Sequence, residues 1–124
     1  MLVQRINSSV NFRGAKEIDA IAQKYARNSQ DRELVRLAKI AEEAEHEITG
    51  DGDYSIREES EKVDAFRKAV KESKNSKLAF HLLSDFRNVP GNFYMSTTYA
   101  HSMMKDIAQN SKSITRQEIL DHLA

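Results

Sequence analysis

Apolar residues recur at intervals of three and four along most of the chain, which predicts α-helices rather than strands. The most regular stripe lies over about 30–49 and consists of Leu34, Leu37, Ala41, Ala44 and Ile48. Its alternating intervals form a heptad seam, which is typical of a helix that packs lengthwise against another helix. The seam has two uses that both stay open: packing within one chain, or pairing two copies in a homodimer.

The same spacing predicts five further helices, whose bounds are set by residues that start or end a helix. They cover about 15–27, 56–73, 77–87, 97–109 and 115–123. Two capping boxes, Ser55–Glu58 and Thr115–Glu118, mark the starts of the third and the last helix. The segment over 77–87 is the most apolar, so we expect it at the centre of the fold.

The predicted helices each carry an apolar face, and we expect these faces to share one core. In the last two helices the expected core residues are Tyr99, Met103, Ile107, Ile119, Leu120 and Leu123. The fold class is therefore all-α: a compact antiparallel bundle of five to six helices joined by short turns. We expect a short irregular N-terminal arm, extended or weakly ordered, over residues 1–13 and a single helical-bundle domain over 14–124.

The composition supports this fold and narrows the classes of function. Among 124 residues there are four glycines and one proline, which is few for the many turns of an all-β fold. The chain has no cysteine, which excludes disulfides, a thiol nucleophile and thiolate metal sites. No apolar run is long enough to cross a membrane, and the N-terminus lacks a secretory pattern. We expect a cytoplasmic protein, with secretion without a cleavable signal left open.

Charge is balanced over the whole chain but uneven within it. Nineteen basic side chains match nineteen acidic ones, so the basic excess that favours nucleic-acid binding is missing, and that function stays only as an alternative. The acidic side chains around the turn after the second predicted helix are Glu42, Glu43, Glu45, Glu47, Asp51, Asp53, Glu58, Glu59 and Glu61. This stretch is either a solvated end of the bundle or a docking surface for a basic partner.

Two short motifs resemble metal-binding sequences, but neither has a complete ligand set. Glu43 and His46 form one Glu-x-x-His pair, whereas a di-iron bundle uses two such pairs and two further glutamates. The run Asp51–Ser55 begins like a calcium loop, but Ile56 and Lys62 stand where glycine and a bidentate glutamate are needed. We therefore predict no metal and no cofactor.

His81 and Asp85, four residues apart in the most apolar segment, are the main candidates for catalysis. A buried histidine–carboxylate dyad can act as a general base. No nucleophile motif, phosphate-binding loop or metal motif accompanies the pair. We therefore predict a structural pair, and a small enzyme centred on His81 and Asp85 is the alternative function.

A turn at Pro90 and Gly91 precedes an aromatic loop that begins at Phe93. Aromatic residues and methionine are enriched at the centres of protein interfaces, although this loop also has the composition of a lid that folds back onto the bundle. We predict a non-enzymatic module, a regulator, adaptor or secreted effector, that binds another protein. The predicted contact residues are Phe93, Tyr94, Met95, Glu43, Glu47, Asp51 and Asp53.

Overall fold

The computed structural model describes residues 16–49, 56–86 and 97–123, and within these ranges the chain is helical and contains no strand. The helices are α1 over 16–25, α2 at Ser29–Thr49, α3 at Ile56–Glu72, α4 at Ser76–Phe86, α5 at Thr97–Asn110 and α6 at Arg116–Leu123. The predicted all-α bundle is therefore confirmed. The predicted arm over 1–13 lies outside the described residues.

Local side-chain bonds fix where helices begin. At the start of α2, the Asp31 N–H donates to Asn28 Oδ1 at 2.9 Å. The predicted capping box of α6 is confirmed, because the Thr115 N–H donates to Glu118 Oε1 at 2.8 Å and the Glu118 N–H donates to Thr115 Oγ1 at 3.1 Å. These bonds satisfy donors that the first turn of a helix leaves open. The second predicted box, at Ser55, lies outside the described residues.

One hydrophobic core receives side chains from all six described helices. Helix α2 packs along α3, α4 packs along α5, and α2 also meets α4. Seven of the eleven residues of α4 are buried, so the most apolar helix is central, as predicted. Phe66, Phe80 and Phe86 are fully buried, and each such side chain contributes roughly 1.5–3 kcal/mol.

The inner face of α5 differs from the prediction. Ala100, Met103 and Met104 are buried, whereas Tyr99 is 37% exposed. The Arg67 guanidinium lies over the Tyr99 ring, with its Cζ 5.0 Å from the ring centroid, which is a cation–π contact. The prediction of Tyr99 as a core residue was wrong. The stripe that packs inward begins at Ala100, and the Tyr99 ring lies beside it, in contact with Arg67.

The inner face of α6 also differs from the prediction. Leu120 is 51% exposed, while Ile119 and Leu123 pack against the core. The helix is turned so that Glu118 and His122 reach partners on α4. Leu120 was wrongly placed in the core because the apolar pattern gives no weight to these polar contacts.

Candidate functional site

The predicted contact residues fall only partly within the described chain. Glu43 is exposed on α2, and Glu47 belongs to α2 with its side chain outside the described part. The contact residues that lie outside the described ranges are Asp51, Asp53, Phe93, Tyr94 and Met95. The surfaces built on these residues therefore stay predictions.

Among the described residues, His81 is hydrogen-bonded to an acid of α6 rather than to Asp85. Its Nε2 lies 2.6 Å from Glu118 Oε2, and the two side chains are 14% and 13% exposed. The imidazole stacks on the Tyr25 ring at 4.5 Å between centroids. Lys77 Nζ lies 3.3 Å from the other carboxylate oxygen of Glu118. The predicted partner within α4 is thus replaced by a contact between α4 and α6.

A second polar contact, between Ser84 and His122, joins the same two helices. Ser84 Oγ lies 2.8 Å from His122 Nδ1. The His122 ring meets the rings of His81 and Phe80 edge-on, at 5.3 and 5.8 Å between centroids. A serine beside a histidine also occurs in nucleophilic catalysis, which needs N–H donors for the developing oxyanion. Ser84 is buried within α4, where backbone N–H groups bond within the helix, so this arrangement favours a structural contact.

The Glu118 carboxylate is stabilised by several donors. Burial alone raises the pKa of this carboxyl, but hydrogen bonds from Thr115, His81 and Lys77 lower it to about 2. Such a carboxylate stays ionised at neutral pH and is a weak base, so it anchors donors rather than transferring protons. Among the described residues, no three His, Asp or Glu side chains are arranged to hold a metal ion. We therefore interpret the contacts of Glu118 as a tether between α6 and α4.

Glu42 is buried, although the sequence placed it on the acidic surface. Its side chain is 3% exposed, and its carboxyl lies beside that of Asp85 of α4. Burial and the neighbouring Asp85 carboxyl raise the pKa of Glu42 to about 9. The available signal was its position, because Glu42 continues the buried stripe of Val35 and Ala38 at intervals of three and four.

Asn75 fastens the turn between α3 and α4 to the turn between α1 and α2. Its Nδ2 donates to the Tyr25 carbonyl at 2.9 Å and to Asp31 Oδ2 at 2.8 Å. Its Oδ1 accepts the Leu78 N–H at 3.1 Å and so caps α4. Asp31 is itself buried and also accepts the Arg27 N–H at 2.8 Å. The two turns form one firmly connected unit, because these polar atoms are hydrogen-bonded to each other.

An open cleft of about 1040 Å³ lies beside this unit, and we call it the turn-end cleft. Three turns border it: α1–α2, α3–α4 and α5–α6. Of its fifteen lining residues, Leu34 and Ala69 are apolar and the other thirteen are polar or charged. The charged members are Arg27, Lys74, Lys77, Asp31, Glu33 and Glu72.

Sequence reasoning did not predict the turn-end cleft. Neither Asp31 nor Asn75 was among the candidate site residues. The bond that joins them spans 44 residues, so no local pattern reveals it. The detectable signal was limited to polar breaks at 28–31 and 73–76, which mark turns without showing that they meet.

Comparison of the chain with protein-family models, with curated proteins and with solved structures found no match. Function must therefore be inferred from the chain's own residues and their arrangement.

Proposed function

We propose that this protein is a non-enzymatic interaction module that binds another protein through the turn-end cleft. The observation that carries the proposal is the lining of the cleft, where three turns present polar side chains beside the connected base of Asn75 and Asp31. Binding residues are often found on loops that a rigid scaffold holds in place. The cleft has this organisation.

The character of the lining favours a protein partner over a small molecule. Small-molecule sites are concave and mostly apolar, with volumes of about 300–1,000 Å³. The turn-end cleft is open, and only two of its fifteen lining residues are apolar. Polar, solvent-accessible surfaces of this kind are typical of protein interface rims, where direct and water-mediated hydrogen bonds form. A polar loop or an extended peptide segment of a partner protein fits this chemistry.

Other partner classes have less support. Three basic and three acidic side chains line the cleft, whereas a surface that follows a phosphate backbone needs a basic excess. None of the described helices combines the length and the apolar character that crossing a bilayer requires. We propose a cytoplasmic location for the interaction, which the cysteine-free composition supports.

The test changes exposed cleft residues and measures binding to a partner captured by the wild-type chain. Lys74→Glu combined with Gln30→Arg alters two exposed lining residues and leaves Asn75 in place. We expect the dissociation constant to rise at least about tenfold, or about 1.4 kcal/mol, because contacts and charge in the cleft are lost. Isothermal titration calorimetry gives this constant directly.

A matched control makes the same exchanges on another surface. Lys105→Glu combined with Gln109→Arg alters two exposed residues of α5, and this variant is expected to bind like the wild type. Unchanged binding by the cleft variant, or equal losses in both variants, contradicts the proposal. In the first case the predicted contact residues Phe93 and Tyr94 are the next positions to replace with alanine.

A further inference from the structure

Two carboxyl side chains meet in the packing between α2 and α4. Glu42 is 3% exposed on α2, within a buried stripe that also contains Val35 and Ala38. Its carboxyl lies beside that of Asp85, which α4 holds in a half-buried position. No donor among the described residues reaches Glu42 Oε2. Since ionised carboxylates only accept hydrogen bonds, a bond between two carboxyls requires a proton on one of them.

The surroundings oppose a second negative charge at this position. Besides Asp85 of α4, the charged groups that act on Glu42 include Glu17 of α1 and Glu43 of α2, and these are acidic. Removing a carboxylate from water without a cation partner is costly, and a like charge nearby adds to the cost. The neutral acid avoids both costs and has a proton that it can donate to the Asp85 carboxylate.

We propose that Glu42 and Asp85 hold one proton between them in the folded protein, so that α2 and α4 are joined by an acid–carboxylate hydrogen bond that is lost in alkaline solution. The pair is a pH-sensitive contact inside the bundle. It is independent of the turn-end cleft, which lies at the interhelical turns, and it requires no ligand.

The direction of the pH effect follows from the pKa of Glu42. It is about 9 in the folded protein against 4.5 for an unperturbed glutamate, so the folded state binds more protons between these values. Stability from this group is complete below pH 4.5 and is lost as the pH rises through about 9. Within this window the folding equilibrium constant falls by up to about tenfold per pH unit for one proton.

The test compares the pH dependence of unfolding in Glu42→Gln and in the wild type. Glutamine has the shape of the neutral acid and donates to Asp85 at every pH, so the variant is expected to lose the decline between pH 6 and pH 9. Denaturant unfolding at several pH values measures this decline. The matched control is Glu72→Gln, which makes the same exchange at an exposed glutamate of α3 and is expected to decline in parallel with the wild type.

The outcome against the proposal is a Glu42→Gln variant whose unfolding midpoints run parallel to those of the wild type from pH 6 to pH 9. A second measurement needs no variant to be stable. In wild-type protein carrying ¹³C-labelled glutamate and aspartate carboxyls, one glutamate resonance is expected to titrate with a midpoint near 9. The shared proton is overturned if no glutamate or aspartate resonance titrates above its ordinary range.

Discussion

At the scale of single residues, Asn75 makes a connection that depends on its side-chain amide group. One side chain supplies a cap to α4 and donors to both Tyr25 and Asp31. These partners belong to another turn of the chain, so the amide satisfies local and distant groups together. Serine caps a helix equally well but has no amide N–H with which to reach them.

Replacing Asn75 with alanine is expected to lower the free energy of unfolding by about 2–3 kcal/mol. Loss of the cap accounts for about 1 kcal/mol, and loss of the amide donor to the Tyr25 carbonyl and to Asp31, which keeps the Arg27 N–H, accounts for the rest. Asn75→Ser keeps the cap acceptor, so we expect a smaller loss, about 1–2 kcal/mol. Urea unfolding followed by circular dichroism gives both values.

The control for these variants is Asn110→Ala, since among the described residues the Asn110 side chain bonds only the Asp106 carbonyl, at 2.8 Å and at an exposed helix end. A change within about 0.5 kcal/mol is expected there. If Asn75→Ala behaves like this control, Asn75 does not connect the two turns in solution.

At the scale of helices, the sequence predicted most of the fold because helix formation and capping depend on residues that are close together in the chain. Periodicity and capping residues located the six described helices, and the Thr115–Glu118 box was identified correctly. The face that each helix turns toward the core was less predictable. Tyr99 and Leu120 point outward because a guanidinium on α3 and polar partners on α4 decide the rotation of α5 and α6.

The candidate site was less predictable than the helices for the same reason. Its residues come from three turns, and their meeting depends on how α1, α3 and α5 pack. The acid that contacts His81 could not be predicted from local spacing either, since Glu118 lies 37 residues further along the chain. Spacing within one helix suggested Asp85 instead.

The tether of α6 yields a prediction for acidic solution. Glu118→Gln keeps an acceptor for the capping box but removes the charge that Lys77 and His81 contact. The pKa of Glu118 is lowered from 4.5 to about 2, so its stabilisation is complete above 4.5 and is lost as the pH falls toward 2. We expect the variant to be less stable than the wild type at pH 7, with a difference that shrinks across this window.

Denaturant unfolding between pH 7 and pH 2 measures that difference. Asp121→Asn, which removes an exposed acid from the same helix, is the comparison variant and is expected to show no such convergence with the wild type. A constant gap between Glu118→Gln and the wild type at all pH values would mean that the charge of Glu118 does not hold α6 on α4.

At the scale of the whole molecule, the heptad seam of α2 is used within the chain. Leu34, Ala41 and Ala44 are buried in the shared core, and Leu37 is half-buried. A second copy cannot pair through this seam unless α2 first leaves α3 and α4. Such an opening exposes core side chains that each contribute roughly 1.5–3 kcal/mol when buried.

We therefore expect the purified protein to be monomeric, with a mass of 14.2 kDa by light scattering on a sizing column. The value is expected to be independent of protein concentration across the micromolar range. A stable dimer would require a surface other than the α2 seam, and hydrogen exchange of α2 in that dimer would locate it.

Beyond Leu34 and Val35, the buried face of α2 is smooth, because Ala38, Ala41 and Ala44 project little beyond the backbone. Alanine faces interlock weakly, so packing alone does little to prevent one helix from sliding along its neighbour. The proposed Glu42–Asp85 bond supplies specificity at this point. A shift of one turn would place a carboxyl opposite apolar side chains, at a cost of several kcal/mol. A buried acid and its half-buried partner thus favour a single alignment of the two helices.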